Sequence, residues 1–348
     1  MSAIPSTSRA ITINAYGGPE VLTEASVPTP TLLEPADAES VIIKISHAGV
    51  NPVDYKARQG DLSFMAKLPF PAILGIDYAG TIAAVGSKVS TFKVGDSVYG
   101  KTAGVNGKGV YAEYAKLSTI TDLIHPLPTN VPPEQAAGVG VVALTAYVGL
   151  VKYGALSLKQ EENKGKKVLV IGASGGVGIF AVQIAKLLGA HVTAIASGKN
   201  KDFVAALGAD VFVDYTVKPL PELLTQKDEF DVIYDSIGGD EGKNWDLAQI
   251  ILKPNGFFVT PAAPSHGPVT AGAIAGMVGT LAWRGLTNSR KYKFIHGLPI
   301  TEFPQVGKWI EERKLKLFTI VVLPLGEVKK AHELSASGRT VGKIVLAV

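Results

Sequence analysis

The sequence predicts an α/β protein of two domains: a β-rich part and a doubly wound parallel sheet with helices on both faces. Short β-branched runs separated by turn residues fill the opening third, and strands alternate with helices from residue 166 to residue 260. The 348 residues are enough for about two domains of roughly 150 residues each. A composition of 47% hydrophobic and 18% charged residues excludes a disordered chain and a coiled coil.

The strands of the opening third are recognised as runs rich in Val, Ile and Thr between turn-forming residues. They are predicted at Ala10–Asn14, Val41–Ser46, Gly80–Val85 and Asp96–Tyr99. The pattern changes after Pro133, because the segment from Glu134 to Val151 carries no charge after its first residue and is rich in Ala and Val. Its length predicts one buried helix.

Strand and helix alternate in the middle of the chain, which is typical of a parallel sheet. The predicted strands are Lys166–Ile171, His191–Ala196, Val211–Val213, Asp231–Asp235 and Gly256–Thr260, and the predicted helices are Ile179–Leu188, Lys201–Leu207 and Glu241–Leu252. The final stretch adds helices at 303–313 and 325–335 and strands at 318–322 and 343–347. Because this stretch follows the alternating block, we expect it to return and complete the first domain.

The strongest chemical signal is the strand, glycine-rich turn and helix between Val168 and Leu188. Free amides and the positive dipole end of such a helix bind a pyrophosphate, and glycines let the ligand approach the backbone. The residues expected to form this dinucleotide site are Ser174, Gly175, Gly176, Val177 and Gly178. Ala173 breaks the strict Gly-x-Gly-x-x-Gly pattern, and a structural turn with no ligand is the alternative.

The end of the next strand predicts which nucleotide is bound. An NAD site has an acid about 20 residues beyond the glycines, whereas this strand is followed by Ser197, Lys199 and Asn200. A hydroxyl, a cation and an amide suit a 2′-phosphate, so we expect NADP(H), with Tyr215 near the same phosphate. In the alternative interpretation Lys199 is a solvent-exposed residue at the start of a helix, and Tyr215 is an ordinary half-buried ring. The acid Asp202 then still permits NAD as the cofactor.

Eight stretches, spread over nearly the whole chain, form a further pattern. They are Ala48–Asp54, Leu74–Gly86, Phe92–Tyr99, Tyr111–Ala115, Leu144–Tyr147, Ala173–Gly178, Leu207–Asp210 and Gly342–Val345. In this order they resemble the medium-chain dehydrogenase/reductase superfamily, specifically its zinc-free quinone oxidoreductase and alkenal (enone) reductase branch. The resemblance implies a GroES-like catalytic domain from residues 1–132 and 296–348 and a Rossmann NADP(H)-binding domain from residues 133–295.

Zinc ligands are missing both from the composition and from the positions where related enzymes carry them. The chain contains no Cys, and its six His residues show no close metal-type spacing. The resemblance implies that zinc-dependent relatives carry Cys where this chain has Asn51 and a His-Glu pair where it has Ile76 and Asp77. We therefore expect a zinc-independent enzyme without a metal site.

A reaction without a metal needs side chains that hold the substrate oxygen. Asn51 offers an amide, Tyr55 a phenol and Lys56 a cation, so these three are the candidate catalytic residues. Resemblance to enoyl reductases places a functional Lys at this position, which makes Lys56 a cofactor contact as well. Alternatively, Lys56 is a surface lysine in a turn, and Tyr55 only packs against its neighbours. Asp54 is expected to cap a turn or a helix.

Further cofactor contacts are expected at strand ends and at positions that the resemblance indicates. Thr145 resembles the family position that reaches the nicotinamide end, with a hydroxyl bonded to its own helix as the alternative. The remaining candidates follow sheet strands or close over the cofactor near the C-terminus, and they are Ile237, Gly238, Thr260, Gly342 and Lys343.

Together these residues predict an NADPH-dependent reductase that transfers hydride to α,β-unsaturated carbonyl compounds (enones or alkenals) or to quinones. One alternative is an enoyl-thioester reductase, for which Arg284, Arg290, Lys291 and Lys293 offer basic contacts. The other alternative is a non-catalytic NADPH-binding interaction protein of the same fold.

Charge and hydropathy limit the partners that we expect. A net charge of +4 without a block of like charges favours a small anionic molecule over a nucleic acid, and no apolar stretch predicts a membrane span. The resemblance makes a homodimer the expected assembly, with a monomer as the alternative. We expect the cytoplasm, and residues Met1–Pro19, with one Arg and no acid, leave an organellar presequence as the alternative.

Overall fold

The computed structural model describes residues 3–64, 67–238, 242–262, 270, 272, 275, 276, 279 and 289–348. The chain forms two compact units. The first consists of Met1–Val141 and Leu317–Val348, and the second consists of Val142–Lys316. The first unit is therefore discontinuous in sequence, and the second lies between its two parts along the chain.

The strands are numbered in chain order. They are β1 (Thr7–Ile13), β2 (Thr23–Pro28), β3 (Ser40–Val50), β4 (Ala72–Ile73), β5 (Asp77–Val85), β6 (Ser97–Lys101), β7 (Tyr114–Ser118), β8 (Leu123–Pro126), β9 (Lys167–Ile171), β10 (His191–Ala196), β11 (Val211–Asp214), β12 (Phe230–Asp235), β13 (Leu252–Thr260), β14 (Lys291–Phe294), β15 (Thr319–Pro324) and β16 (Lys343–Ala347).

The α-helices are numbered in the same way. They are α1 (Pro52–Gln59), α2 (Pro133–Ala136), α3 (Gly140–Tyr147), α4 (Gly176–Leu187), α5 (Lys201–Ala206), α6 (Leu220–Leu223), α7 (Lys243–Ile251), α8 (Phe303–Glu311) and α9 (Val328–Ala336). A π-helical segment, Val148–Tyr153, continues α3. Within the described segments, the helices are all too short or too polar to cross a lipid bilayer.

The first unit is built around a mostly antiparallel sheet. Its strand order is β15-β16-β3-β5-β6-β8, and β7 pairs with β3 as well. The alternating residues Val41, Ile43 and Ile45 of β3 are at most 3% exposed, which places this strand in the core. β16 runs antiparallel to β3 with Ile344 opposite Val50, so the C-terminal stretch completes the first sheet as the sequence predicts.

The second unit contains a parallel sheet in the order β11-β10-β9-β12-β13-β14. Every pair in it is parallel, and the central strands are buried on both faces. Residues Val168, Leu169 and Val170 of β9 are 0% exposed, which explains why this strand is recognised in the sequence as a continuous apolar run. The prediction of an α/β chain with a doubly wound parallel sheet is confirmed.

Several elements differ from the predictions. The single helix predicted from Glu134 to Val151 is wrong, because the chain instead forms α2, α3 and the π-helical segment. The interruption before α3 has a tertiary cause: the backbone N–H of Val141 donates to Oδ1 of Asp77 at 2.8 Å. The structure also contains elements that were not predicted, namely helices α1 and α6 and strands β2, β4, β7, β8 and β14.

The two compact units divide the chain at slightly different places from the predicted domains. Residues 133–141 belong to the first unit, where α2 packs on β3 and β5. Residues 296–316 belong to the second unit, where the Trp309 ring lies edge-on to Tyr147 with 5.7 Å between the ring centroids. The assignment of residues 133–295 to nucleotide binding stays a prediction.

An aromatic cluster of Trp245, Phe258 and Tyr292 anchors α7 and the β14 edge in the second unit. Its ring centroids lie 5.1 to 5.5 Å apart, and Phe258 is 2% exposed. We expect Phe258→Ala to lower the free energy of unfolding by about 3 to 5 kcal/mol, since it opens a cavity inside this cluster. Urea denaturation measures the loss. Ile250→Ala is the control, because Ile250 is 50% exposed on α7. Its truncation should change the free energy of unfolding by about 0.5 kcal/mol or less. Equal losses in the two variants would contradict the assigned core.

Candidate functional site

The glycine-rich turn of the second unit lies between β9 and α4, as predicted. Gly172 has a φ of +78°, and Gly175 is the residue that precedes the first turn of α4. A side chain at Gly178 would collide with the carbonyl group of Gly172, so the close contact between turn and helix requires glycine there. A Cβ atom at Gly175 would meet only the Gly172 oxygen, at 3.4 Å. Packing alone therefore does not require glycine at 175.

The loop after β10 joins the glycine turn through a hydrogen-bonded amide. Nδ2 of Asn200 lies 3.1 Å from Oγ of Ser174 and 3.1 Å from Oγ of Ser197, so it donates to both hydroxyls. These are three of the predicted cofactor residues, and the structure brings them together at the carboxyl ends of β9 and β10. Lys199, beside them, is exposed. Because both hydrogens of the Asn200 amide are used within the cluster, the groups left for an anion are the two serine hydroxyls and the Lys199 ammonium.

Asp214 holds this loop from the neighbouring strand, and the sequence reasoning missed it. Its carboxylate accepts hydrogen bonds from Oγ1 and the backbone N–H of Thr216, at 2.6 and 2.9 Å, and these lower the pKa of Asp214, helped by the N–H of Gly198. A side chain at Gly198 would collide with the same carboxylate. The next residue, Tyr215, is 54% exposed, so about half of its surface is accessible.

The remaining candidates of the second unit differ in exposure. Thr145 is 4% exposed, and its carbonyl oxygen accepts a hydrogen bond of 3.0 Å from the phenol of Tyr234. Thr260 is 2% exposed and bonds to Ala262 within its own turn. Ile237 is 55% exposed directly after β12.

Gly238 follows Ile237 and has a φ of +58°, in the left-handed region. Its N–H group donates to Oδ1 of Asp235, as does the N–H group of Ile237. This carboxylate therefore shapes the backbone at the carboxyl end of β12, where cofactors bind in parallel sheets.

The first unit places Asn51 at the start of α1. The backbone N–H of Asn51 donates to Oδ2 of Asp54 at 2.8 Å, and the Asn51 side chain accepts from the Asp54 backbone, which together form a capping box. The phenol of Tyr111 also donates to Oδ2 of Asp54, at 3.0 Å. Asp54 therefore caps a helix, as predicted. Burial raises the pKa of Asp54 from 3.8 to about 7, although these hydrogen bonds act in the opposite direction.

The Asn51 side chain is 1% exposed and lies between two charged groups. Its Nδ2 donates to Oδ2 of Asp77 at 2.9 Å, and its Oδ1 accepts from Nζ of Lys343 at 2.6 Å. Nζ of Lys343 also donates to the carbonyl oxygen of Val50 at 2.9 Å and lies 3.7 Å from Oδ2 of Asp77. Burial lowers the pKa of Lys343 and raises that of Asp77, and the charge of each opposes the shift of the other. We call Asn51, Asp77 and Lys343 the Lys343 clamp.

Tyr55 and Lys56 follow the capping box on α1 and are partly exposed, whereas Asp54, Ala57 and Arg58 are buried. Burial raises the pKa of Tyr55, and the nearby charge of Asp61 adds to the shift, so the phenol keeps its proton at neutral pH. The ammonium group of Lys56 makes no hydrogen bond or ion pair within the part of the chain that the structure describes. Both side chains are therefore available to a ligand, in contrast to Asn51.

Gly342, the last candidate, has a φ of +64° and directly precedes Lys343 at the start of β16. Over the residues included in the description, no three His, Asp or Glu side chains are grouped so that they could hold a metal ion.

Comparison with known proteins identifies the family. Residues 37–129 match the model of the alcohol dehydrogenase GroES-like domain, and residues 207–346 match the model of a zinc-binding dehydrogenase. The chain is 33% identical over 344 residues to the chloroplastic quinone-oxidoreductase homolog of Spinacia oleracea, with 97% of each chain covered. The chain belongs to the medium-chain dehydrogenase/reductase superfamily.

Within this superfamily the chain falls in the quinone oxidoreductase and alkenal reductase branch. It is 35% identical over 243 residues to the NADPH-dependent alkenal/one oxidoreductase, chloroplastic, of Arabidopsis thaliana, covering 68% of this chain and 59% of that one. The solved quinone oxidoreductase of Coxiella burnetii superposes with a TM-score of 0.79 at 29% identity, covering 98% and 99% of the two chains. This medium-chain reductase is therefore an oxidoreductase with a GroES-like unit, a Rossmann unit and a nicotinamide cofactor.

The raised pKa of Asp54 makes stability depend on pH. Because the native pKa of about 7 lies above the usual value of 3.8, the native state retains the proton longer than the unfolded chain. The stabilisation is complete below about pH 4 and is lost as the pH rises to about 7. We expect wild type to lose up to about 1.4 kcal/mol per pH unit more than Asp54→Asn across this window. Urea denaturation at a series of pH values tests this, and parallel curves for the two proteins would contradict it.

Proposed function

We propose that this chain is an NADPH-dependent reductase that adds hydride to α,β-unsaturated carbonyl compounds or to quinones. The observation that carries the proposal is the cluster of Ser174, Ser197 and Asn200 beside the exposed Lys199. The donors that this cluster leaves for a ligand are two serine hydroxyls and the Lys199 ammonium, which suit a phosphorylated ribose. The names of the two relatives support the same substrates.

The residues of the second unit would bind the nucleotide as follows. The first N–H groups of α4, at Gly176, Val177 and Gly178, have no partner inside the helix and would receive the pyrophosphate. Lys199 and Tyr215 would contact the 2′-phosphate. Further contacts towards the nicotinamide end are proposed for Thr145, Ile237, Gly238 and Thr260. Gly342, which belongs to the first unit, is also proposed as a cofactor contact.

When bound, the nicotinamide cofactor supplies the hydride. The chain's own part is to orient the substrate and to stabilise the charge that develops on its carbonyl oxygen. Tyr55 can donate a hydrogen bond or a proton to that oxygen, since burial keeps its phenol neutral. Lys56 can offer its ammonium to the same oxygen or to the ribose.

An enoyl-thioester substrate receives less support from the basic residues that were predicted for it. Arg290 donates to Oδ1 of Asp228 and to the carbonyl oxygen of Leu252, both at 2.6 Å. Its guanidinium therefore makes hydrogen bonds within the chain itself. Nζ of Lys291 lies 4.8 Å from the centroid of the Phe257 ring. Arg284 lies outside the described residues. We also propose the cytoplasm as the location of the protein and a homodimer as its assembly.

The substrate proposal is tested with a small enone, a quinone and an enoyl-CoA, each assayed with NADPH and with NADH. We expect turnover of the enone or the quinone and a preference for NADPH of at least about tenfold, because charge-assisted contacts to one phosphate contribute about 1.4 kcal/mol or more. Equal rates with NADH would refute the choice of cofactor. Turnover of the enoyl-CoA alone would favour the thioester alternative, and tight NADPH binding without any turnover would favour the interaction protein.

The role of Lys199 is tested by Lys199→Ala. We expect the KM for NADPH to rise about tenfold with kcat nearly unchanged, because the lost contact acts on the phosphate in ground state and transition state alike. The KM for NADH should stay the same. Lys164→Ala is the matched control, since Lys164 is also an exposed lysine of the second unit and should alter neither constant. Equal effects on both coenzymes would remove Lys199 from the phosphate site.

A further inference from the structure

The Lys343 clamp lies where three neighbouring strands of the first sheet meet. β16 begins at Lys343, β3 ends one residue before Asn51, and β5 begins at Asp77. The registers Ile344 opposite Val50 and Gly49 opposite Asp77 bring these three residues to the same end of the sheet. Helix α1 starts at this end, with Asn51 as its capping residue.

The two charges determine how the Asn51 amide is oriented. An ammonium group can only donate hydrogen bonds and a carboxylate can only accept them. Lys343 therefore holds Oδ1 of Asn51, and Asp77 holds Nδ2. With the capping box on its other side, the start of α1 is fixed by both backbone and side-chain bonds.

The rotation of α1 decides which of its side chains are accessible. Along this helix Asp54 is buried, Tyr55 and Lys56 are partly exposed, and Ala57 and Arg58 are buried again. Successive residues of a helix point about 100° apart, so a small rotation at its start displaces Tyr55 and Lys56 together. The clamp therefore sets the position of both side chains although it contacts neither.

Stability alone is a weak reason for this arrangement. Lys343 is 4% exposed and Asp77 is 0% exposed, and a buried ion pair commonly contributes no more to stability than an apolar pair of similar volume. What such a pair adds is a defined geometry. A cofactor contact by Lys343 is also disfavoured, because its ammonium already donates to Val50 and Asn51 and faces Asp77.

We propose that Lys343 is a positioning residue of the reductase: with Asp77 it orients the Asn51 amide and the start of α1, and thereby Tyr55 and Lys56. This inference rests on the proposed function, in which these two side chains serve the substrate. It replaces the expectation that Lys343 contacts the cofactor.

The test compares wild type with Lys343→Met and with the double variant Lys343→Met/Asp77→Asn. The double variant removes both charges of the clamp, and it keeps the test open if the single variant does not fold. For both, we expect kcat to fall about a hundredfold, as for a displacement of about 1 Å at reacting groups, with the KM for NADPH changed less than about twofold. Amide hydrogen exchange across residues 52–59 should be about tenfold faster.

Lys101→Met is the matched control. Lys101 is also a buried lysine of this sheet, 5% exposed and opposite Asp77 on β6, but its Nζ donates to the carbonyl oxygen of Thr102 and not to Asn51. We expect its kcat to stay within about threefold of wild type and the exchange of residues 52–59 to be unchanged. Lys101 acts on the clamp only through its charge near Asp77, and the hydrogen bonds that orient Asn51 remain in this variant.

Three results would overturn the inference. The first is an unchanged exchange rate across residues 52–59 in Lys343→Met. The second is a raised KM for NADPH with kcat retained, which would make Lys343 a cofactor contact. The third is full recovery of kcat in the double variant, which would show that Lys343 only neutralises the charge of Asp77 and does not position α1. Failure of the proposed function is distinguishable, since wild type would then reduce no enone or quinone while the exchange measurement still reports on the clamp.

Discussion

The first unit depends on a buried salt bridge that is completed by an amide. Asp77 and Lys343 are removed from water, and this is tolerable only because each charge has several partners: Asn51 and Val141 for the carboxylate, and Val50 and Asn51 for the ammonium. The same bonds connect β3, β5 and β16 and determine where α1 and α3 begin. This one group of charges and hydrogen bonds thus supports the pairing of the three strands, the starts of the two helices and the positions of Tyr55 and Lys56.

The second unit depends instead on close approach of backbone to backbone. The carbonyl group of Gly172 lies so near Gly178 that no side chain fits between them, and this contact determines how α4 leaves β9. Asp214 fixes the adjoining loop from the next strand. The result is a row of serine hydroxyls and backbone N–H groups at the carboxyl ends of β9 and β10, which are the groups that we propose for a phosphate-bearing ligand.

Much of the fold could be predicted because the signals are local. His191–Ala196 and Lys343–Ala347 were predicted with the observed bounds, since both are β-branched runs with clear ends. The glycine turn was found for the same reason. Helix α1 escaped prediction because it has eight residues and begins with proline, too short for a helical period to emerge.

The parts that could not be predicted depend on contacts distant in sequence. The break before α3 comes from the bond between Val141 and Asp77, 64 residues apart. From the sequence, Asp77 is only the residue beside Ile76 where zinc-dependent relatives carry a His-Glu pair. Lys343 was assigned to the cofactor, because its bond to Asn51 joins residues 292 apart. No local pattern reveals that pairing. A lysine at the start of a buried strand is the one signal that could have prompted a search for an internal acid.

The discontinuity of the first unit has a consequence for biosynthesis. Strand β16 is translated after the whole of Val142–Lys316, so the nascent chain contains the complete second unit before the ammonium that neutralises Asp77 exists. Until then the carboxylate must stay hydrated or protonated, and the N-terminal sheet must remain open at the β3 edge. Folding of this chain is therefore ordered. The second unit can fold while the chain is still on the ribosome, whereas the sheet of the first unit is completed last.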